Sequence, residues 1–400
     1  MNRREFIAIS GALLAKPNTG PVSLLTFAPA DASAVRRAAA ARSALLNRFV
    51  DPALKSGPWS VTFHRPTGNL TKAGPNDYFS EGPYWWPDPK NSNGPYIRRD
   101  GERNPDRFQA NHDDLGHMSE AVLSLGIGAF FLNRPDCGRH ASLILNTWFI
   151  DPKTRMNPNL EFGQAIRGVT TGRGTGLIDT VSLIRAIQGI VLLEAAGAID
   201  PALARELRQW SATFVQWMTT SSKGLAEKRS GNNHSTWWTA QVAAHAVFTG
   251  DRALQQLAWD YYGNYLVPTE IRPDGSCPRE EARTKSLSYS SMNLDAFATI
   301  CRLAQVAGVD LWHFKTAQGI GVERAFHYLA PFVSHPDTWR KQQIEAYDPG
   351  SYVFPGLAGV GLSSPKLLAA YENIPRAETP WVQFIDLLVR ASSSRSGVRR

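Results

Sequence analysis

Asn232-Asn233-His234-Ser235-Thr236-Trp237-Trp238 concentrates amide, imidazole, hydroxyl and indole groups in seven residues. Such a run suits an ordinary core poorly, because every polar group there needs its own buried partner. It suits a carbohydrate subsite well, since amides and imidazoles meet hydroxyls and carboxylates while indoles stack on sugar faces. The chemical complement lies between Glu281 and Ser290, where Arg283 precedes Tyr289 by six residues. A phenol with an ordinary pKa of about 10 becomes a base where a neighbouring cation favours its phenolate. The two stretches together describe a proton-abstraction site. Each residue also has a structural use: Asn caps helices, a histidine can be satisfied inside a core, and Trp237 and Trp238 can form a buried helix face.

Groups so far apart in sequence need a repeating fold to bring them together. Hydrophobic periodicity predicts a first helix over 33–47 and then paired helices: 118–132 with 137–149, 177–196 with 201–219, 236–248 with 252–265, and 291–307 with 316–332, with a terminal helix over 381–389. Their period is about 55 residues, in the range of helical repeat architectures. Asp179, His234 and Tyr289 stand 55 positions apart in turn, so equivalent helix ends would carry them to one mouth.

Between the helices lie long loops. Proline excludes helix over most of 58–105, and Tyr84, Trp85 and Trp86 argue for an ordered cleft wall or lid over a disordered link. Residues 151–160, Gln164 and Gly172-Arg173-Gly174-Thr175-Gly176 form another cleft loop. The glycine run lacks the Lys-Ser/Thr ending of a phosphate loop and follows no strand. Tyr347 belongs to a third aromatic loop, Glu345 to Pro355.

The chain of 400 residues is long enough for a large core, and 12 Trp, 11 Tyr and 18 Phe supply many flat rings. A net charge of +8 comes largely from the arginines at the two ends, which leaves a mildly basic body without the charge runs of a nucleic-acid binder. A modest positive field also favours an acidic polysaccharide. Cys137, Cys277 and Cys301 are too few and too dispersed for a disulfide framework and read as buried thiols. No metal spacing occurs among the histidines, so neither metal nor cofactor is expected. Arg3-Arg4 before an Ala/Gly/Ser-rich apolar run resembles a twin-arginine export signal over 1–32, with a mature chain beginning near residue 30. No other stretch reads as a membrane span. The expected layout is therefore an export segment, one domain over 33–390 and a disordered basic tail over 391–400.

Asn232-Asn233-His234-Ser235-Thr236-Trp237 followed by Arg283-Thr284-Lys285-Ser286-Leu287-Ser288-Tyr289 resembles the signature of the alginate lyase superfamily of polysaccharide lyases, nearest the branch with glucuronan lyases. Tyr84-Trp85-Trp86-Pro87, Pro95-Tyr96-Ile97-Arg98-Arg99-Asp100, Met156-Asn157-Pro158 and Gly172-Arg173-Gly174 also resemble that branch. The resemblance covers residues 75–300 in patches. Arg167 stands where the pattern leads one to expect proline, which bears on the subsite near Gln164. The resemblance implies an all-α fold, an α/α toroid or incomplete barrel of six or seven helical hairpins with long aromatic cleft loops, in a periplasmic or secreted bacterial enzyme.

It further implies β-elimination on a β-1,4-linked polyuronate, glucuronan or mannuronate-rich alginate. The C5 proton of a uronate is acidic only if the adjacent carboxylate is neutralised as charge spreads onto it. Asn233 and His234 would supply that neutralisation, Tyr289 would take the proton and return it to the leaving C4 oxygen, and Arg283 would favour its phenolate. In mannuronate and glucuronate the two groups share a face and one tyrosine serves both. In guluronate they are opposed, and His234 would have to be the base. Tyr84, Trp85, Trp86, Gln164, Arg173, Trp237 and Tyr347 are the expected substrate contacts. Two other classes remain: a glycoside hydrolase, which needs two carboxylates flanking the bond, for which Glu281, Asp179 and Asp295 are available, and a binding protein without chemistry.

Overall fold

Helix dominates the computed structural model, which describes residues 26–28, 31–66 and 71–393. The first helices are α1 (Ala32–Ala40), α2 (Ser43–Ala53), α3 (Ala110–Phe131), α4 (Asp136–Leu145), α5 (Leu183–Ala195), α6 (Pro201–Thr220), α7 (Ser222–Lys228) and α8 (Asn233–Thr249). They continue as α9 (Arg252–Tyr261), α10 (Val267–Glu270), α11 (Pro278–Glu281), α12 (Ser286–Val306), α13 (Val322–Ser334), α14 (Phe354–Gly361), α15 (Pro365–Glu372) and α16 (Pro380–Ser393).

Six of them close a ring. Helix α3 packs on α5, α5 on α8, α8 on α12, α12 on α14, α14 on α16 and α16 back on α3. These inner helices are apolar on nearly every side: α3 buries Leu115, Met118, Val122, Leu123 and Leu125 on successive faces. Outside the ring, α4, α6, α9, α13 and α15 each return against the inner helix that precedes them, and α1 supplies the outer partner of α16. The result is an α/α toroid of six hairpins, at the lower end of the expected number. Where α3 meets α5 the backbones touch. A Cβ on Gly126 would lie 2.6 Å from the Gly189 oxygen, so a larger residue there would force the two helices apart.

Several expected boundaries shift. The single helix at 33–47 is two, broken between Ala40 and Ser43, and the helix expected to start at 118 starts at Ala110. The segment expected over 177–196 begins as a 3₁₀ turn, Gly174–Thr180, before α5. By length and composition Gly174–Ala195 reaches the threshold of a membrane span, contrary to the sequence reading, yet its apolar window is 78% buried inside the protein. The helix expected from 291 begins at Ser286, which puts Tyr289 inside α12, and the one expected from 316 begins at Val322. All three cysteines are buried and free.

The long loops carry four short strands: β1 (Phe79–Glu81), β2 (Trp85–Trp86), β3 (Ile97–Arg98) and β4 (Phe162–Ala165). Parallel pairing sets Phe79 opposite Phe162, and antiparallel pairing sets Trp85 opposite Arg98. The first pairing ties the proline-rich stretch to the loop containing Gln164, and the second folds that stretch back on itself.

The fold also begins earlier than the boundary at residue 32. Phe27 is fully buried among Phe130, Phe131 and Phe384, each 6.3 Å away between ring centres. Thr26 donates from its backbone N and Oγ1 to Gln188 Oε1 (3.1 and 2.7 Å), and its carbonyl accepts from Arg302 Nε (2.6 Å). A chain starting at residue 30 would lose this plug, which engages α3, α5, α12 and α16. The arginine pair and apolar run of the expected export signal, and most of the basic tail, lie outside the described residues. Truncating Phe27 to alanine is expected to cost about 3–5 kcal/mol of unfolding free energy, read by denaturant or thermal melts. An unchanged melt would mean the segment does not seal the ring.

Candidate active site

The N-terminal ends of four inner helices, α3, α5, α8 and α12, gather at one mouth. There a cleft of about 570 Å³ is lined by Tyr84, Trp85, Gln164, Arg173, Asp179, Asn233, His234, Arg283 and Tyr289 among others. The 55-residue phase is thus spatial: Asp179 precedes α5, His234 lies in the first turn of α8, and Tyr289 lies in the first turn of α12.

Asn232 starts α8 as its cap, its side chain accepting from His234 N at 3.3 Å. The next two residues therefore stand at the helix N-terminus, where backbone N–H groups favour anions. Asn233 has no exposed surface and gives both its donors to Glu280: backbone N to Oε1 at 2.6 Å and Nδ2 to Oε2 at 2.8 Å. His234 is held through Nδ1 by Glu227 Oε1 at 2.7 Å, which leaves Nε2 for the cleft. Burial opposes its charge, but the Glu227 carboxylate and its hydrogen bond outweigh that and raise the imidazole pKa above its ordinary value. The shift is toward the imidazolium, the form in which Nε2 is a donor.

Tyr289 donates from Oη to Tyr84 Oη at 2.7 Å. The Arg283 guanidinium lies flat on the Tyr289 ring, 3.8 Å from its centre, and is gripped by Asp100 with Nη2–Oδ1 at 2.8 Å and Nε–Oδ2 at 3.1 Å. Burial and Tyr84 raise the phenol pKa, and Arg283 only partly offsets them. The expected cation is present, but its effect is the smaller one. Asp100 itself is held well below the usual carboxylate range by Arg283 and Arg98, against the effect of its burial.

On the opposite wall, Asp179 accepts from Tyr78 Oη (3.0 Å), Ser80 Oγ (2.6 Å) and Gln164 Nε2 (2.7 Å). Gln164 Oε1 in turn accepts from Arg173 Nη2 at 2.6 Å. Gln164 adopts a left-handed backbone (φ 49°), a conformation that non-glycine residues keep only where the surroundings enforce it. Arg167 anchors this wall by a two-pronged pair with Glu81 at 2.5 and 2.8 Å, which gives the unexpected arginine a structural role. In all, five arginines (98, 103, 107, 173 and 283) line the cleft against two carboxylates, Glu81 and Asp179.

Three expected contacts lie away from the cleft lining. Trp86 alternates with Trp85 along β2, so while Trp85 lines the cleft, Trp86 gives its Nε1 to the Glu102 carbonyl at 3.0 Å. Trp237 packs against the core rim. Tyr347 is stacked on Tyr352 at 5.3 Å and shares a hydrogen bond with Ser291. Conversely, Glu227, Glu280 and Asp100 fix the three central residues and were not singled out from the sequence. Their signal was weak: an acidic residue gains meaning only through its partner, and these partners lie 7, 47 and 183 positions away.

A family model described as alginate lyase matches residues 66–339. Alginate lyase of Pseudomonas aeruginosa is 32% identical over 109 residues, 27% of this chain and 29% of that protein. The Pseudomonas fluorescens enzyme of the same name is 28% identical over 146 residues, 36% of this chain and 38% of that one. These alignments span about a third of the length of the curated relatives. Likeness in structure extends further. The crystal structure of an alginate lyase from Bacteroides ovatus has 31% identity and a TM-score of 0.83, covering 91% of this chain and 99% of the other. Alginate lyase A1-III of Sphingomonas species A1, with 18% identity, a TM-score of 0.54 and coverage of 86% and 92%, shares the fold.

Proposed function

This chain belongs to the alginate lyase family, and from that premise we propose that it is a polysaccharide lyase cleaving a β-1,4-linked polyuronate, glucuronan or mannuronate-rich alginate, by β-elimination. One observation carries the reading. A phenol, Tyr289, and an imidazole biased toward its cation, His234, face the same arginine-rich cleft, with Asn233 at the start of α8 in the same lining.

In this reading the uronate carboxylate sits at the N-terminus of α8, where the imidazolium of His234 and the amide of Asn233 neutralise it as the C5–H bond breaks. Tyr289, as phenolate, takes the C5 proton. The electron pair forms the C4–C5 double bond and expels the C4 oxygen, to which the Tyr289 hydroxyl returns the proton. Arg283 stabilises the phenolate from the ring face, and Asp100 fixes its plane. With His234 biased to the cation, its use as base on guluronate is disfavoured, so the substrate presents C5–H and C4–O on one face. The surplus of arginines supports a polyanion, with Trp85 and Arg173 as further contacts. A hydrolase would need two free carboxylates across the bond. Glu81 is committed to Arg167, Glu281 pairs with Lys341, and Asp295 accepts the backbone N–H groups of Val353 and Phe354.

The test is to give the purified enzyme glucuronan, polymannuronate and polyguluronate, following both the ultraviolet absorbance of the C4–C5 unsaturated product and new reducing ends. Absorbance should rise on one or both of the first two polymers and not on polyguluronate. Reducing ends without absorbance would mean hydrolysis, and binding without either would leave a binding protein.

A further inference from the structure

Asn233 poses a hydrogen-bonding problem. Its residue has no exposed surface, its backbone N and Nδ2 each give one hydrogen to Glu280, and its Oδ1 is shielded yet has no partner among the described residues. An orphaned buried carbonyl oxygen costs about 1–3 kcal/mol. The orientation is also poor for chemistry: one Nδ2 hydrogen is spent on Glu280, and the unpartnered oxygen is an acceptor, which repels a uronate carboxylate. Rotating the isosteric amide by half a turn with Glu280 ionised would press two acceptors together. One proton on Glu280 removes that clash, and a bound carboxylate then gives the turned Nδ2 its partner.

We propose that Glu280 is a positioning residue that works as the neutral acid: its O–H donates to Asn233 Oδ1 and so turns the Asn233 amide to present Nδ2 to the substrate carboxylate. Oε1 continues to accept from the Asn233 backbone N, and in the substrate complex the uronate carboxylate accepts from Nδ2, so the polar atoms of the pair are satisfied there. The proton stays on Glu280 throughout turnover. This deepens the lyase reading above and rests on it.

The surroundings favour the neutral acid. Glu280 is 1% exposed and has no ion-pair partner among the described residues. Arg283 and His234 face it, but Arg283 is committed to Asp100 and His234 to Glu227. Behind it lie buried Cys277 and Glu270, whose carboxyl burial pushes up to about 8. Burial likewise pushes the Glu280 carboxyl up, against the Asn233 hydrogen bonds and the charges of Arg283 and His234.

Two variants and one spectrum test this. Glu280→Leu removes the donor and should lower kcat/KM by about 10²-fold, whereas Glu280→Gln, whose NH₂ can replace the O–H, should recover at least about tenfold of that loss. The infrared difference between wild-type and Glu280→Gln, at neutral pH with a short glucuronate or mannuronate oligosaccharide bound, should contain the C=O stretch of a protonated carboxyl. A band of ionised carboxylate in its place, or a Gln variant as impaired as the Leu variant while melting like wild-type, would overturn the proposal. Should Glu280→Leu fail to fold, the spectrum and the Gln variant still decide. If the wild-type cleaves no polyuronate, the lyase reading fails by itself, and the infrared band of the free enzyme continues to report on Glu280.

Discussion

Tyr289→Phe is expected to lower release of the unsaturated product by about 10³-fold or more while oligosaccharide binding stays near wild-type. The loss is large because this one oxygen is assigned two proton transfers, removal from C5 and delivery to C4–O. It is selective because phenylalanine keeps the ring on which Arg283 lies, 3.8 Å from its centre, and with it the Asp100 clamp. The structural loss is one hydrogen bond to Tyr84, about 1 kcal/mol, so melting should move by only a few degrees. Single-turnover absorbance with calorimetric binding of an oligosaccharide separates the two effects. A variant that still cleaves at a tenth of the wild-type rate would mean that Tyr289 is a wall of the cleft and that another group takes the proton.

Much of this arrangement was legible from residue types and spacing. The 55-residue phase linking Asp179, His234 and Tyr289 survives folding because α5, α8 and α12 all start at the cleft, so equal phase returns the chain to the same mouth. Helix starts were less legible. Residues 110–117 of α3 mix polar and apolar types, because His112 lines the cleft while Asn111 and Asp114 bond the loop before the helix, and that mixture blurs the helical period. The carboxylates that hold the site residues were less legible. Glu227 lies on the short helix α7 without a local pattern distinguishing it from a solvated acid, and Asp100, in the loop after β3, closes a motif that says nothing of its pairing with Arg283. Trp86 and Tyr347 show the converse limit. Aromatic content marks a cleft wall, but strand alternation and a competing stack decide which ring lines it.

The sign of the His234 shift yields the second large effect. Turnover requires the imidazolium and the phenolate together, and in this enzyme the imidazole is the stronger acid of the two, so the active form is a minority at every pH. Its population rises with pH until His234 begins to release its proton, stays level until Tyr289 ionises, and falls above that. The acid limb of kcat/KM therefore reports His234, and the alkaline limb Tyr289. Replacing Glu227 by Gln removes the charge that raises the imidazole pKa and leaves burial to lower it. The acid limb should then move to lower pH, and the plateau should fall by the same factor. Stability should shift in the matching sense. A pKa raised by folding contributes stability that is complete below about 6.5 and is lost as pH rises through the folded value, and Glu227→Gln forfeits it. His234→Ala, which deletes the donor altogether, should cost about 10²–10³-fold in kcat and abolish the acid limb. An acid limb that stays in place in Glu227→Gln would show that His234 is neutral in turnover, and the carboxylate would then have to be neutralised by the Asn233 amide and the arginines of the cleft.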